Sequence, residues 1–304
     1  MGELVSIQDA KMGEWRDVPT GQLRTTYFLT SPIGSQLPQC FRVENSPNRC
    51  LESHFHAQDQ FQVIVQGSGT LGKHALSPYV VHFSRAFTPY GPIVAGPTGL
   101  AWLTLRMQRD EGAQYMTQSR EVLLSVKDRA PWQMSEAVSF TTVPDNGAVH
   151  ALKSIRDERG LSVFAVRLKP GASLLLPDPS ATGGQFFVVV GGGVKQGSKE
   201  IKSLSTMLNK AQDGPVSVTA GSQGLEALVL NFPFTALTQK LIVPPPAAEG
   251  VKVWHCEPCG FLYNESEGLP EEGAPAGTRF EDLPIGWHCP DCDAGKESFL
   301  EVSF

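Results

Sequence analysis

Two Cys-x-x-Cys pairs near the carboxyl end constrain this chain more than anything else in it. Cys256 and Cys259 form the first pair and Cys289 and Cys292 the second, with 29 residues between the inner two cysteines. Four thiolates delivered by two such turns make a tetrahedral S4 site, which suits zinc or iron. Gly260 after the first turn and Asp293 after the second stand where a left-handed backbone is often needed, and Gly and Asp tolerate it better than most residues. Between the pairs lie Phe261, Tyr263, Phe280 and Trp287, with Trp254 before them and Phe299 after. A segment this short cannot bury enough core by itself, so a metal must staple it and the aromatics must pack beside the metal.

The string VWHCEPCGFLYNESEGLPEEGAPAGTRFEDLPIGWHCPDCDAGKESF resembles rubredoxin, the small one-iron electron carrier, over residues 251–303. The CxxCG and CPxC turns, the PAGTRFEDLP stretch, the Trp before the second turn and the late Phe carry the likeness. Asp293 departs from it, since the family usually has Gly there. The resemblance implies one iron on Cys256, Cys259, Cys289 and Cys292, cycling between ferric and ferrous. The rival reading is a zinc ribbon used only for folding, and spacing alone leaves it open. His255 and His288 precede the turns and are expected to face solvent, because four thiolates complete the site.

Charge is uneven along the 304 residues. The last 54 carry 3 Lys/Arg against 11 Asp/Glu, whereas residues 1–250 carry 22 against 20. An acidic carrier suits brief docking on a basic partner, and the same charge also serves solubility. No basic stripe suggests nucleic acid, no apolar run is long enough to cross a membrane, and no signal peptide is apparent. Clustered thiols held for a metal fit a reducing compartment, so a cytoplasmic location is expected, with Cys40 and Cys50 as unpaired buried thiols.

A stiff, Pro-rich spacer, residues 244–250, separates the tail from two related halves. Gln60-Phe-Gln-Val-Ile-Val-Gln-Gly67 reappears as Gln185-Phe-Phe-Val-Val-Val-Gly-Gly192. The block starting Ala95-Gly-Pro-Thr-Gly-Leu100 reappears as Ala220-Gly-Ser-Gln-Gly-Leu225. Both pairs sit 125 residues apart, which argues for duplication of a domain. Short apolar runs broken by Gly, Pro and Ser predict strands over 61–65, 79–83, 101–105, 163–168, 186–190 and 227–230. Residues 121–127 and 197–210 are the candidates for helix. Gly67-x-Gly69-x-x-Gly72 matches a dinucleotide fingerprint by letters, but no helix follows, so it reads as a Gly-rich hairpin turn. The predicted class is mainly β, as barrels or double-sheet jelly rolls, in two tandem halves over 1–125 and 126–243, followed by the linker and a metal domain over 251–304.

His54-Phe-His56 sets two imidazoles on one face of a strand, a good way to offer nitrogens to one metal. The run from His54 through Gln60 to Gly67 resembles the first motif of the cupins, small β-barrels that often hold a metal. Pro89-Tyr-Gly91-Pro-Ile-Val94 is similar to the second motif. The resemblance implies a bicupin over about residues 25–240. Gln60 stands where Glu would bind and Val94 where the last His would. His82, or His74, is the candidate for a further ligand. In the second copy Pro179 and Ala181 replace the two histidines while Gln185 keeps the Gln, which suggests a structural role for that amide. Three readings stay open for the first barrel: an Fe or Mn ion on His54 and His56 with Gln60 or His82, a pocket for a small organic ligand, or plain architecture.

The functional expectation is one-electron transfer. A reductase would load the iron, and a separate redox enzyme, such as an oxygenase, would take the electron, with the bicupin as docking or dimerisation scaffold. The alternatives are a cupin-type metal oxygenase carrying its own electron donor on the Pro-rich linker, and a redox or small-ligand sensor. A homodimer is implied by the cupin resemblance alone.

Overall fold

The computed structural model of the chain describes residues 4–18, 21–32, 35–124, 126, 131–234, 252–256, 261–291 and 293–302. The Pro-rich spacer, Cys259, Gly260 and Cys292 lie outside the described residues.

Two antiparallel sheets make up most of the molecule. In the first, nine strands run in the order Gln133–Met134, Val81–Ser84, Gln60–Leu71, Ile93–Arg106, Gln39–Asn45, Gly21–Leu29, Lys11–Val18, with Cys50–Leu51 and His74–Leu76 alongside. In the second, eight strands include Ser205–Asn209, Gln185–Gln196, Ser217–Asn231, Ser162–Leu168 and Val149–Arg156 in that order. The duplication is visible in the register. Phe61 pairs Leu105 as Phe186 pairs Leu230, and Gln60 pairs Ser84 as Gln185 pairs Asn209. Gly67 and Gly192 make the same close approach in their copies: both have positive φ, and a Cβ on either would run into the carbonyl oxygen of Gly99 or Gly224 respectively.

The strands read as unbroken apolar runs because both faces are covered. Phe61, Val63, Leu103 and Leu105 from the first sheet pack with Val163, Phe186, Val188, Leu228 and Leu230 from the second in one core between the barrels. The alternate residues point inward, with Ile64, Leu100, Trp102 and Tyr90 in the first barrel and Phe187, Val189, Ala227 and Val229 in the second. The barrels also exchange edges across the expected 125/126 boundary. Leu4–Ser6 pairs with Ser205–Asn209 of the second sheet, and Gln133–Met134 pairs with Val81–Ser84 of the first.

One helical expectation holds in part, since Met116–Leu124 is a helix that overlaps 121–127. The other fails. Residues 199–202 and 205–209 are strands, with Gly197 at φ 62 turning the chain between Gln196 and Lys199. Pairing of Ser205–Asn209 with the central strand overrides the local pattern. Gly72, at φ 53, closes the hairpin between Leu71 and His74, so the Gly-rich run is a turn. Among the described residues no helix is long and apolar enough to cross a membrane.

The tail is a third unit. Val253–Cys256 is the middle strand of three, flanked by Leu262–Asn264 and Phe299–Val302. Cys256, Tyr263, Ala274, Phe280, Leu283, Trp287, Cys289 and Phe299 form its small core.

Candidate metal centre

The two cysteine turns share one backbone plan. The Cys256 N–H donates to the Phe261 carbonyl at 2.8 Å, and the Cys289 N–H donates to the Ala294 carbonyl at 2.8 Å, each five residues on. The Asp293 N–H closes the second turn onto the Cys289 carbonyl at 2.9 Å, and Asp293 sits at φ 66, the left-handed position anticipated for it. Cys256 and Cys289 are both fully buried in the same aromatic core. Trp254 stacks on Phe280 at 4.5 Å, and Phe299 touches Phe280 and Trp287 at 5.0 and 5.4 Å. Buried Glu265 ties this shell together by accepting from Trp254 Nε1 and the Phe280 N–H, both at 2.9 Å. Burial of the Cys256 and Cys289 thiols among aromatics, with Leu283 and Ala274 beside them in a small core, fits a thiolate-bound ion as the staple of this domain. His288 is exposed as expected, but His255 is buried. The expectation for His255 fails because its strand is central, so the register sets it between Leu262 and Leu300.

A family model for rubredoxin matches residues 253–299. Rubredoxin-2 of Pseudomonas aeruginosa is 59% identical over 49 residues, covering 16% of this chain and 89% of that protein. The carboxyl-terminal domain of this chain belongs to the rubredoxin family. Rubredoxin-1 of Alcanivorax borkumensis is 51% identical over 52 residues, covering 17% of this chain and 96% of the relative. A rubredoxin domain implies an iron site. The barrels have solved relatives of another kind. A protein of Nostoc punctiforme described as a dioxygenase aligns with 76% of this chain and 82% of its own at a TM-score of 0.54 and 14% identity. YhhW of Escherichia coli covers 77% of this chain and 99% of its own at 0.51 and 9% identity. At such identities the likeness concerns the fold, which is that of paired cupin barrels.

The histidines of the first barrel belong to one buried hydrogen-bonded chain. His54 Nδ1 lies 2.7 Å from the Glu52 carbonyl and must donate to it. Its Nε2 then carries the lone pair, and the Tyr90 hydroxyl donates to it at 3.0 Å. The Tyr90 oxygen accepts from Gln60 Nε2 at 2.5 Å, with Gln62 Nε2 at 3.4 Å. Gln60 Oε1 accepts twice from Arg106, at 3.0 and 2.7 Å. Arg106 lies 3.7 Å from Asp110, and Asp110 accepts from His56 Nδ1 at 2.7 Å. His82 Nδ1 donates to Gln62 Oε1 at 2.8 Å, and its ring lies 5.0 Å from Tyr90. All of these side chains are buried.

Burial pushes the imidazoles down, His54 to about 3, His56 to about 4 and His82 to about 3, so all three are neutral near pH 7. Burial alone would raise the Asp110 carboxyl, but the His56 hydrogen bond and the Arg106 charge outweigh it and hold it at about 2. The network thus contains one buried cation, one buried anion and neutral imidazoles.

His54, His56, Gln60 and His82 are brought around Tyr90, but their donor atoms do not converge. The Tyr90 hydroxyl occupies the lone pair of His54, and a guanidinium occupies the oxygen of Gln60. A divalent ion would sit beside the buried Arg106 guanidinium, whose charge repels it. Among the described residues no three His, Cys, Asp or Glu side chains are grouped to hold an ion. In this arrangement the cluster does not fit a metal. Val94, where the resemblance would put another histidine, is exposed at the surface. His74 lies apart from the cluster, on the hairpin turn, edge-on to Trp132.

Sequence reasoning did not find Tyr90, Arg106 or Asp110. At the position equivalent to Arg106 in the second copy, Asn231 Oδ1 accepts from Gln185 Nε2 at 2.9 Å, whereas Arg106 donates to Gln60 Oε1. Gln185 also donates to the Pro177 carbonyl at 3.0 Å. Nor did the sequence foretell how the rubredoxin domain meets the first barrel. Asp291, between Cys289 and Cys292, accepts from Trp132 Nε1 at 3.2 Å through its carboxylate and from the Lys73 N–H at 3.4 Å through its carbonyl. Trp132 in turn touches His82 at 5.4 Å, and so leads to Tyr90.

Proposed function

We propose that this chain moves single electrons between a reductase and a redox enzyme that accepts them, with the paired barrels as the platform for its rubredoxin domain. An iron ion held by Cys256, Cys259, Cys289 and Cys292 would supply a one-electron ferric/ferrous couple. The observation that carries the reading is the complete cysteine quartet inside a segment 59% identical to a rubredoxin. The aromatic shell of Trp254, Phe280, Trp287 and Phe299 keeps water from the thiolates, which tunes the couple and protects it from hydrolysis. The acidic surface suits short-lived docking on basic partners, and such docking weakens with salt.

A second reading makes the first barrel an enzyme that receives the electron. One observation favours it. His82 Nε2 is buried with no hydrogen-bond partner among the described residues, an acceptor left for something else. With Tyr90 turned aside, the Nε2 atoms of His54, His56 and His82 would be free lone pairs on neutral rings, each held from behind through Nδ1.

Metal content of the purified full chain separates the readings. The carrier reading expects one iron per chain, all of it lost in Cys256→Ala, and reversible uptake of one electron by optical titration. A second metal that survives Cys256→Ala and disappears in His54→Ala/His56→Ala would move the assignment to the enzyme. A colourless protein holding only zinc, with no reversible reduction, would sink both.

A further inference from the structure

We propose that Lys73, His74 and Trp132 form a dock on the first barrel for the second cysteine loop of the rubredoxin domain, and that this dock grips the reduced domain more tightly than the oxidised one. The inference rests on the electron-carrier reading of the tail. Two donors converge on one residue of that loop. The Lys73 N–H meets the Asp291 carbonyl and Trp132 Nε1 meets the Asp291 carboxylate, with the His74 ring edge-on to Trp132 at 5.1 Å. Asp291 lies in the chain between Cys289 and Cys292, next to two of the cysteines that would hold the iron. Lys73 is exposed and adds a positive charge to the turn whose N–H meets Asp291.

Every contribution of the dock has the same sign. The donated hydrogens point their positive ends at a loop that carries a carboxylate and two thiolates, and the Lys73 cation belongs to the turn that donates one of them. Reduction adds one more negative charge to the tetrathiolate centre. The undocked domain must hold that charge against Asp291 and ten other acidic residues, for a formal −8 over residues 251–304. In the docked domain part of the Asp291 charge is offset by Trp132 and Lys73. By linkage, a dock that favours the reduced form raises the potential by the same free energy with which reduction tightens the dock. A tenfold difference in docking constant corresponds to about 59 mV for a one-electron couple. The oxidised domain is then the one released more readily, with its second loop open to an electron donor. The reduced domain is held with that loop against Trp132, at the head of the ring contacts to His82 and Tyr90.

The test is the midpoint potential of the iron-loaded full chain, measured by optical titration with dithionite and mediators. Three variants are compared with the parent: Lys73→Glu, Trp132→Phe, and Lys195→Glu. The last makes the same charge change on an exposed lysine of the second barrel. Lys73→Glu and Trp132→Phe should each lower the potential, by about 59 mV for every tenfold of docking preference lost. Lys195→Glu should leave it in place. Equal potentials in the parent and both dock variants, or an equal drop in Lys195→Glu, would overturn the dock while leaving the carrier intact. Absence of any reversible iron couple in the parent would instead overturn the carrier reading itself.

Discussion

Replacing Tyr90 by Phe removes one oxygen from the centre of the first barrel, and the structure says what that oxygen does. The ring would keep its contacts, 4.6 Å from His54 and 5.0 Å from His82, so no large cavity opens. Two buried atoms lose close partners, and Gln62 Nε2 loses a longer contact at 3.4 Å. His54 Nε2 loses the hydroxyl that donates to it, and Gln60 Nε2 loses the oxygen that accepts from it. Each buried polar atom left unpaired costs about 1–3 kcal/mol, so the loss should be roughly 2–6 kcal/mol. Gln60 cannot turn its amide over to compensate, because Arg106 holds Oε1 with two hydrogen bonds. For a unit the size of the paired barrels 1 kcal/mol moves the midpoint by about 2–4 °C, so the variant should melt on the order of 10 °C below the parent. Thermal unfolding of the full chain at pH 7, followed by far-ultraviolet circular dichroism, reads the barrels, while the visible colour reports the iron domain separately. The colour should be lost at the parent's temperature if the two units unfold independently. A barrel midpoint within about 2 °C of the parent would refute the reasoning, since it would mean that His54 and Gln60 never depended on that hydroxyl.

The same network makes the barrels acid-sensitive. His54, His56 and His82 have folded pKa values pushed below the ordinary 6.5, so below that pH the unfolded chain binds more protons than the folded one. Stability is therefore flat above about pH 7 and falls as the pH drops through 6 and 5 toward 4, by up to about 1.4 kcal/mol per unit for each histidine. A barrel midpoint that is the same at pH 7 and pH 5 would contradict three neutral buried imidazoles. Gly67→Ala and Gly192→Ala should each cost about 1–3 kcal/mol, because a side chain at positive φ meets the backbone of Gly99 or Gly224 in both copies. Denaturant titration checks this, and tolerance of either substitution would break the claimed equivalence of the two sites.

What could be read in advance follows from how far apart the interacting residues lie in the chain. The cysteine turns are local: each is closed by hydrogen bonds within five residues, so their spacing and the left-handed Asp293 were legible directly. The barrels were legible through their repetition, since the same register at an offset of 125 residues lays Phe61 on Leu105 and Phe186 on Leu230. The stretch 197–210 misled because its local pattern says nothing about the partner strand Gln185–Gln196 that recruits it. The polar core is the opposite of local. It joins Gln39, His54, Gln60, Tyr90, Arg106 and Asp110, and what decides its chemistry is a guanidinium where a motif alone suggests a cation. A histidine pair on one strand is compatible with a metal ligand set and with a hydrogen-bonded relay. The difference lies in the residues that face the pair, and these come from strands that only folding brings together. The contact between Trp132 and Asp291 spans 159 residues, and it decides whether the electron carrier is a free passenger on its linker or a domain with a berth.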